Sequence, residues 1–223
     1  MPKLGFRVLP SPDHIAAEIL DRLSGFGASN LADAMGRFNF MDPGMQPRGG
    51  RSMCGPAVTV NCRPGDNLMV HKALDVARRN EVVVVSTNGG HSTAVFGEQM
   101  CRTAVAKQLA GIVVDGAIRD VDAIQRLGFA AFSRTVSPGS CDKDGPGEIN
   151  VPVSCGGIVV APGDIVVGDA DGVVVVPRGD AGDVLQEVEA LMRRERERLE
   201  QIDAGRLLHP EVDETLRHRG VST

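Results

Sequence analysis

An α/β fold with mixed β-sheets follows from three features of this 223-residue chain. Apolar runs of strand length, at 81–86 (EVVVVS) and 111–115 (GIVVD), alternate with segments of helical character. Strand–helix–strand alternation implies crossovers between parallel strands. Further on, short β runs are divided by Pro-Gly-Asp and Asp-Ala-Asp-Gly turns, which suit hairpins.

Taken in order, Ser11 or Asp13 caps a helix that reaches about Gly25, with Ile15, Ile19, Leu20 and Leu23 on its apolar side. A short helix follows at 29–36 (SNLADAMG), and the Gly-, Pro- and Met-rich stretch 38–53 lacks periodicity and is expected to be loop. Residues 56–62 (PAVTVNC) alternate as a strand with one buried face. A helix is expected over 66–78 and a buried strand over 81–86, which opens into a polar loop at 87–93 (TNGGHST). Then come a helix over 97–109 stopped by Gly111, a strand at 111–115, a helix at 120–127 and a strand at 129–133. The β-rich part consists of 157–161, 165–168 and 172–177, and a long helix from about 180 to 203 closes the regular structure. With no internal repeat and no low-complexity linker, the chain is expected to be one domain, 1–223, whose tail 206–223 carries no clear signal.

Composition excludes several classes of function. A net charge of −5 and a pI near 5.5 argue against nucleic acid as a main partner, because neutralising phosphates needs a basic surface. All seven aromatic residues are Phe, which leaves little for stacking on bases. No apolar run approaches the roughly 20 residues that span a bilayer, and residues 1–10 lack a charged-then-apolar signal pattern, so a cytoplasmic location is expected. The five cysteines (54, 62, 101, 141, 155) form no CxxC pair, and the five histidines (14, 71, 91, 209, 218) form no HxxxH or HExxH arrangement. A nitrogen- or sulfur-rich metal site is thereby disfavoured, whereas an oxygen-rich one stays open. Of the four lysines (3, 72, 107, 143), none lies in an apolar strand as a Schiff-base lysine often would. A nucleotide loop of the GxGxxG type is absent.

Three places carry chemistry. Gly97, Glu98, Gln99 and Met100 open a predicted helix, whose free N–H groups and dipole attract carboxylates or phosphates; Gly97 equally serves as a plain helix start with Glu98 complementing the dipole. Residues 115–120 (DGAIRD) run from the C-terminal end of a strand into a helix, the edge at which open α/β sheets bind ligands. There Arg119 can hold a carboxylate and Asp120 can ligate a hard cation, or Asp120 can simply cap the helix and pair with Arg119. Gly97 and Gly116 stand where backbone would approach a small anion. On the last helix Val188, Leu191, Met192, Leu199 and Ile202 form one stripe, and Glu195 falls on it. A carboxylate among buried positions needs a partner, a metal or a protein seam; the other reading is that the stripe frays and Glu195 is solvated. Weaker signals are the turn at 65–67 (GDN), His91 and Asp33.

Arg119-Asp120, preceded by Gly97-Glu98-Gln99-Met100, resembles the acid…Arg-Asp signature of the 4-hydroxy-4-methyl-2-oxoglutarate / 4-carboxy-4-hydroxy-2-oxoadipate aldolases, a family that also includes the RraA-like regulators of ribonuclease E. The likeness extends over roughly residues 8–203, through 32–37 (ADAMGR), 64–67 (PGDN), 150–153 (NVPV), 162–164 (PGD) and 169–173 (DADGV). It implies a layered α/β sandwich with a phosphohistidine-domain-like core, assembled as a trimer or a dimer of trimers. It also implies a class II pyruvate aldolase of aromatic-compound catabolism that uses Mg2+ or Mn2+ and decarboxylates oxaloacetate as a side activity. On that resemblance Asp120 ligates the metal directly, and Glu98, where the aldolases usually have Asp, holds metal-bound water. Gly97–Met100 and Arg119 grip the pyruvyl part of a small 2-keto acid, and Glu195 corresponds to a Glu donated by a neighbouring subunit. The loop 88–92 (NGGHS) is where specificity would be set. The family leaves two other readings, a non-catalytic regulator that binds ribonuclease E and a lyase or decarboxylase for another 2-keto acid. Glu195 at the aldolase position favours catalysis.

Overall fold

The computed structural model describes residues 3–13, 15–50 and 52–221, so His14 and Arg51 lie outside the described residues, as do the first two and last two positions. The chain begins with α1 (Ala17–Leu23) and α2 (Ala28–Ala34), then β1 (Gln46–Pro47), β2 (Met53–Cys62) and α3 (Leu68–Val76). Next come β3 (Val82–Ser86), β4 (Ala94–Phe96), α4 (Glu98–Ala106), β5 (Gly111–Ile118), α5 (Val121–Leu127) and β6 (Ala131–Val136). The β-rich part holds β7 (Gly147–Ile149), β8 (Val153–Cys155), β9 (Ile158–Val160), β10 (Ile165–Gly168) and β11 (Val173–Val176). A 3-10 turn at Arg178–Asp180 leads into α6 (Ala181–Asp203), and α7 (Pro210–His218) follows.

The strands β2, β3, β5 and β6 pair in parallel, as the apolar runs foretold. The sheet order is β1-β6-β5-β3-β2-β10-β11, with β4 on β5 and β7 on β2. β1, β7, β10 and β11 add antiparallel pairings, so the sheet is mixed.

Period-2 alternation along the strands sorts side chains into three cores. Val58 and Val60 of β2, Val83 and Val85 of β3, and Ile112 and Val114 of β5 face α3 and α4, against Val70, Leu74 and Cys101. Their neighbours Ala57, Val82, Val84 and Val113 point the other way, onto Val166 of β10 and Val173 and Val175 of β11. The opposite face of the β10–β11 hairpin, Ile165, Val167, Val174 and Val176, meets Leu23, Leu31, Val184, Leu185 and Val188 of α1, α2 and α6. The result is the layered α/β sandwich with helices on both outer faces. β2 joins the layers, since Met53–Pro56 pair with β10 while Ala57–Asn61 pair with β3. Gly55 sits at that corner, where a Cβ would collide with the Asn80 carbonyl oxygen.

Several expected boundaries move, each for a tertiary reason. The first helix starts at Ala17 and not at Ser11 or Asp13. The Ser11 hydroxyl instead accepts a hydrogen bond from Asn150 Nδ2 (3.1 Å), and Leu9 donates to the Ile149 carbonyl (3.1 Å), which holds this segment alongside β7. The helix expected at 66–78 begins at Leu68, and the one expected to reach 109 stops at Ala106. Strand β5 runs three residues further than expected, to Ile118, and β6 is displaced to Ala131–Val136. Within the stretch expected to be loop, Gln46–Pro47 pair with β6, and three short strands, β4, β7 and β8, were not foreseen. The run 157–161 pairs with β8 and not with 165–168, because both carboxylate oxygens of Asp164 are taken by backbone, from Ala161 (2.8 Å) and Arg178 (2.9 Å), and turn the chain away. Only the second expected hairpin, β10–β11, forms.

On α6, Val184, Leu185 and Val188 are buried, but the stripe emerges from the chain's own core beyond Met192, and Leu199 is 61% exposed. Helix α7 occupies the tail that carried no sequence signal. Pro210 stands in its first turn, and Arg198 of α6 ties its approach by donating to the carbonyls of Arg206 (2.8 Å) and Leu207 (2.7 Å). No helix among the described residues is long and apolar enough to cross a membrane.

Asp66 is fully buried ahead of α3. Its Oδ1 accepts from the Leu68 N–H (2.9 Å), its Oδ2 accepts from the Asp144 and Gly145 N–H groups (both 2.8 Å), and Arg63 approaches at 3.3 Å. A carboxylate that answers this many donors cannot be replaced by an amide, which must turn its NH2 toward an N–H. Asp66→Asn is therefore expected to lower stability by about 2 kcal/mol. Urea unfolding should show a lower midpoint at unchanged slope, and a midpoint equal to that of the wild type would refute this clamp.

Candidate active site

The short strand β4 brings the chemistry-bearing segments together. It lies parallel to the end of β5, with Ala94 opposite Ala117 and Phe96 opposite Ile118. The Arg119 N–H then donates to the Phe96 carbonyl (3.0 Å), so Gly97-Glu98 and Arg119-Asp120 leave their strands side by side. The fit is close, since a Cβ on Gly97 would stand 2.7 Å from Asp120 Oδ2 and 3.1 Å from Arg119 Cγ.

Asp120 does not cap its own helix. It occupies the left-handed region (φ 58°), sparsely populated by residues other than glycine and more accessible to Asp than to most. That turn aims its Oδ2 at the neighbouring helix, where it accepts the Glu98 N–H at the start of α4 (3.0 Å). Arg119 Nε lies 3.6 Å from the same oxygen. Both side chains are open to solvent, at 44% and 43% exposure, so this ion pair is screened and both groups remain available. Glu98 Oε1 is gripped by Arg102, one turn on, through Nε (2.9 Å) and Nη2 (2.6 Å), while Oε2 is left free of that pair. The first turn of α4 closes with the Cys101 N–H on the Gly97 carbonyl (2.9 Å), so the N–H groups of Gln99 and Met100 precede any helical acceptor.

These residues line a cavity of about 220 Å³. Gly97, Glu98, Gln99, Met100, Arg119 and Asp120 form one end, as the sequence proposed, and Asn67 of the GDN turn joins them. His71, Ser140, Cys141 and Lys143 also line it and were not singled out. His71 follows Asn67 by one helical turn on α3, a spacing that would have found it; the loop 140–143 carries no local pattern. Asn67 is nearly buried, its Nδ2 donating to the Val95 carbonyl (3.2 Å) while Oδ1 has no partner. Burial pushes the Cys141 thiol up, and its Sγ donates to the Ala94 carbonyl (3.1 Å).

Other candidates fall elsewhere. Glu195 does not reach this cavity within the chain; it is half-buried on α6, accepting from Asn30 Nδ2 at 3.4 Å. Asp115 is structural, bound by Arg134 Nε (2.6 Å) and the Gly156 N–H (2.8 Å). Gly116 does not approach an anion site, because its missing side chain makes room for Thr87, whose Oγ1 a Cβ would meet at 2.7 Å. Asp33 pairs with Arg37 (3.8 Å), and His91 is exposed on its loop and does not line the cavity.

Among the described residues there is no cluster of three or more His, Cys, Asp or Glu side chains fit to hold a metal ion. Two carboxylates at one mouth, with only oxygen donors, instead suit a hard cation of the Mg2+ type. Such an ion keeps several waters and takes its remaining ligands from one or two carboxylates and the substrate.

Comparison with known proteins places the chain. The RraA-like family model, described as Aldolase/RraA, matches residues 28–175. A protein of Halalkalibacterium halodurans, provisionally named a 4-hydroxy-4-methyl-2-oxoglutarate aldolase, is 39% identical over 181 residues, 81% of this chain and 79% of that one. The 4-hydroxy-4-methyl-2-oxoglutarate aldolase of Thermus thermophilus is 32% identical over 117 residues, 52% of this chain and 71% of its own. The crystal structure of Streptomyces coelicolor RraAS2, described as an unusual member of the RNase ES inhibitor RraA protein family, superposes with a TM-score of 0.74. It is 27% identical and covers 85% of this chain and 98% of that one. Every residue that lines the cavity falls inside the matched span, and the chain belongs to the RraA-like family.

Proposed function

We propose that this protein is a carbon–carbon lyase, a divalent-metal-dependent aldolase. It cleaves 4-hydroxy-4-methyl-2-oxoglutarate, 4-carboxy-4-hydroxy-2-oxoadipate or both, giving pyruvate plus pyruvate or oxaloacetate, and decarboxylates oxaloacetate as a side activity. The observation that carries this reading is the convergence of Arg119, two carboxylates and an open helix N-terminus on one cavity. The aldolase names of the relatives agree with it.

In this reading Asp120 holds Mg2+ or Mn2+ directly and Glu98 holds it through water. The ion supplies a Lewis acid beside the 2-keto group. The chain's own groups do the rest. The N–H groups of Gln99 and Met100 bind the pyruvyl carboxylate at the positive end of α4. Arg119 presents a guanidinium to the oxygen on which negative charge develops. Water held by a carboxylate at the mouth takes the proton of the 4-hydroxyl. The bond between C3 and C4 then breaks, C4 becomes a carbonyl, and the pyruvyl enolate takes a proton at C3 to become pyruvate. Glu195 completes the site from a neighbouring subunit of a trimer or a dimer of trimers. The bare second half of the α6 stripe is consistent with burial against another copy.

A regulator that binds ribonuclease E and does no chemistry is the second reading, and it draws on the likeness to the Streptomyces inhibitor-family structure. The pairing of Arg119 with Asp120 beside the start of α4 favours the first reading.

Three outcomes are expected. Pyruvate should be released from 4-hydroxy-4-methyl-2-oxoglutarate and oxaloacetate with Mg2+ or Mn2+, stop with EDTA, and fall by about a thousandfold in Arg119→Ala and Asp120→Asn, both of which stay folded. No metal-dependent release from either compound, nor from the 4-carboxy analogue, would sink the aldolase reading. Gly97→Ala should lose about tenfold or more in kcat while staying folded, because its Cβ displaces the Asp120 carboxylate; full activity would show that this contact is dispensable. Mixing Glu195→Ala with Arg119→Ala subunits should restore part of the activity that each lacks alone, and a mixture as inactive as its components would argue against donation in trans.

A further inference from the structure

Residues 87–93 join β3 to β4 and lead straight into the strand that sets the register of the candidate site. The far end of this loop is held by the Ser137 hydroxyl, which donates to the Ser92 carbonyl (2.5 Å), and by the Ala94 N–H on the Gly139 carbonyl (2.8 Å). Its first residue, Thr87, is fully buried with its hydroxyl 2.7 Å from the Asp115 carbonyl. Between these anchors a single side chain ties the loop to the end of β2. Asn88 Nδ2 donates to Asn61 Oδ1 (2.7 Å) and to the Cys62 carbonyl (2.9 Å), so both of its amide hydrogens are in use.

Asn88 is followed by Gly89, and this Asn-Gly pair occurs once in the chain. Glycine leaves the peptide nitrogen after an asparagine unshielded, so this pair is the one most open to attack of that nitrogen on the side-chain amide. The local structure supplies the room. Asn88 and Gly89 are both exposed and both left-handed (φ 50° and 86°), and nothing stands within 4 Å of where a Gly89 Cβ would be. The Gly90 N–H closes the turn on the Thr87 carbonyl (3.1 Å), while the Gly89 N–H has no acceptor among the described residues.

We propose that Asn88 is a deamidation site and that its side chain is a one-way latch on the loop ahead of β4. While the latch is closed, two acceptors hold the amide nitrogen, and reaction waits for local opening. In the open loop the Gly89 nitrogen attacks Asn88 Cγ, the Cγ–Nδ2 bond breaks, and ammonia leaves with the proton of the Gly89 nitrogen, giving a five-membered succinimide. Water opens that ring at either carbonyl, to aspartate or to isoaspartate, so one water is consumed and one ammonia released. Neither product closes the latch again. A carboxylate brings no N–H to the Cys62 carbonyl, whichever way the Asn61 amide turns, and two oxygens then face each other. Isoaspartate also lengthens the main chain by one carbon. The loop is thereafter tied only at Thr87 and Ser92.

The test incubates the purified protein in warm, mildly alkaline buffer beside a synthetic peptide of residues 84–95. Mass spectrometry of the digested chain follows the amide-to-acid mass gain at each asparagine, and isoaspartate-specific methylation identifies the rearranged product. Asn88 should convert ahead of every other asparagine, more slowly than in the peptide, and Asn61→Ala, which removes one acceptor, should speed it several-fold. Asn88→Asp, which writes the product directly, should raise amide hydrogen exchange over residues 89–93 about tenfold or more, the worth of the two lost hydrogen bonds. An Asn88 that stays intact long after the peptide has converted, an Asn61→Ala variant no faster than the wild type, or unchanged exchange in Asn88→Asp would each overturn the proposal. These readouts stand whether or not the protein releases pyruvate from a 2-keto acid, so the two readings fail separately.

Discussion

One backbone hydrogen bond, from the Arg119 N–H to the Phe96 carbonyl, fixes the register on which the candidate site depends. It prolongs the parallel pairing of β4 and β5 past the last strand residues, so two strand-to-helix turns open at the same height. Parallel strands bury both faces and leave their carboxyl ends free, which is why ligand sites collect there. Here the turns are also crossed, because Asp120 at the head of α5 satisfies the first N–H of α4. The left-handed backbone of Asp120 is the strained element that permits this exchange.

How much of this was legible in the sequence depended on whether local pattern or tertiary contact decided each element. The valine-rich β3 and β5 and the 23-residue α6 announce themselves, because burial of whole faces leaves a periodic trace. The three-residue strands β4, β7 and β8 leave none; β4 and β7 exist because the longer β5 and β2 offer them an edge, and β8 because β9 folds back on it. Arg119, Asp120 and the Gly97–Met100 segment could be proposed since each sits at a boundary between strand and helix. Lys143 could not, because its loop has no pattern of its own and is shaped by Asp66, a residue nearly eighty positions earlier in the chain. Glu195 was half legible. The helical stripe identified it as anomalous, and the fold of one chain leaves it away from the cavity.

The same comparison separates glycines by purpose. Gly97 is small because the Asp120 and Arg119 side chains crowd it, Gly116 because Thr87 does, and Gly55 because β2 bends there against Asn80. The structure thus divides these glycines between a candidate site and a scaffold.

Strand β2 has a consequence for the energetics of the whole molecule. Its first residues belong to the hairpin layer and its last to the parallel layer, and no flexible linker divides them. Melting either layer therefore strips one flank of β2 and exposes the core that both layers share, so neither is an independent unit of stability. The strand also pairs with residues more than a hundred positions later, in β10. Such a topology makes folding wait for a distant part of the chain, and cooperativity is obtained at the expense of speed.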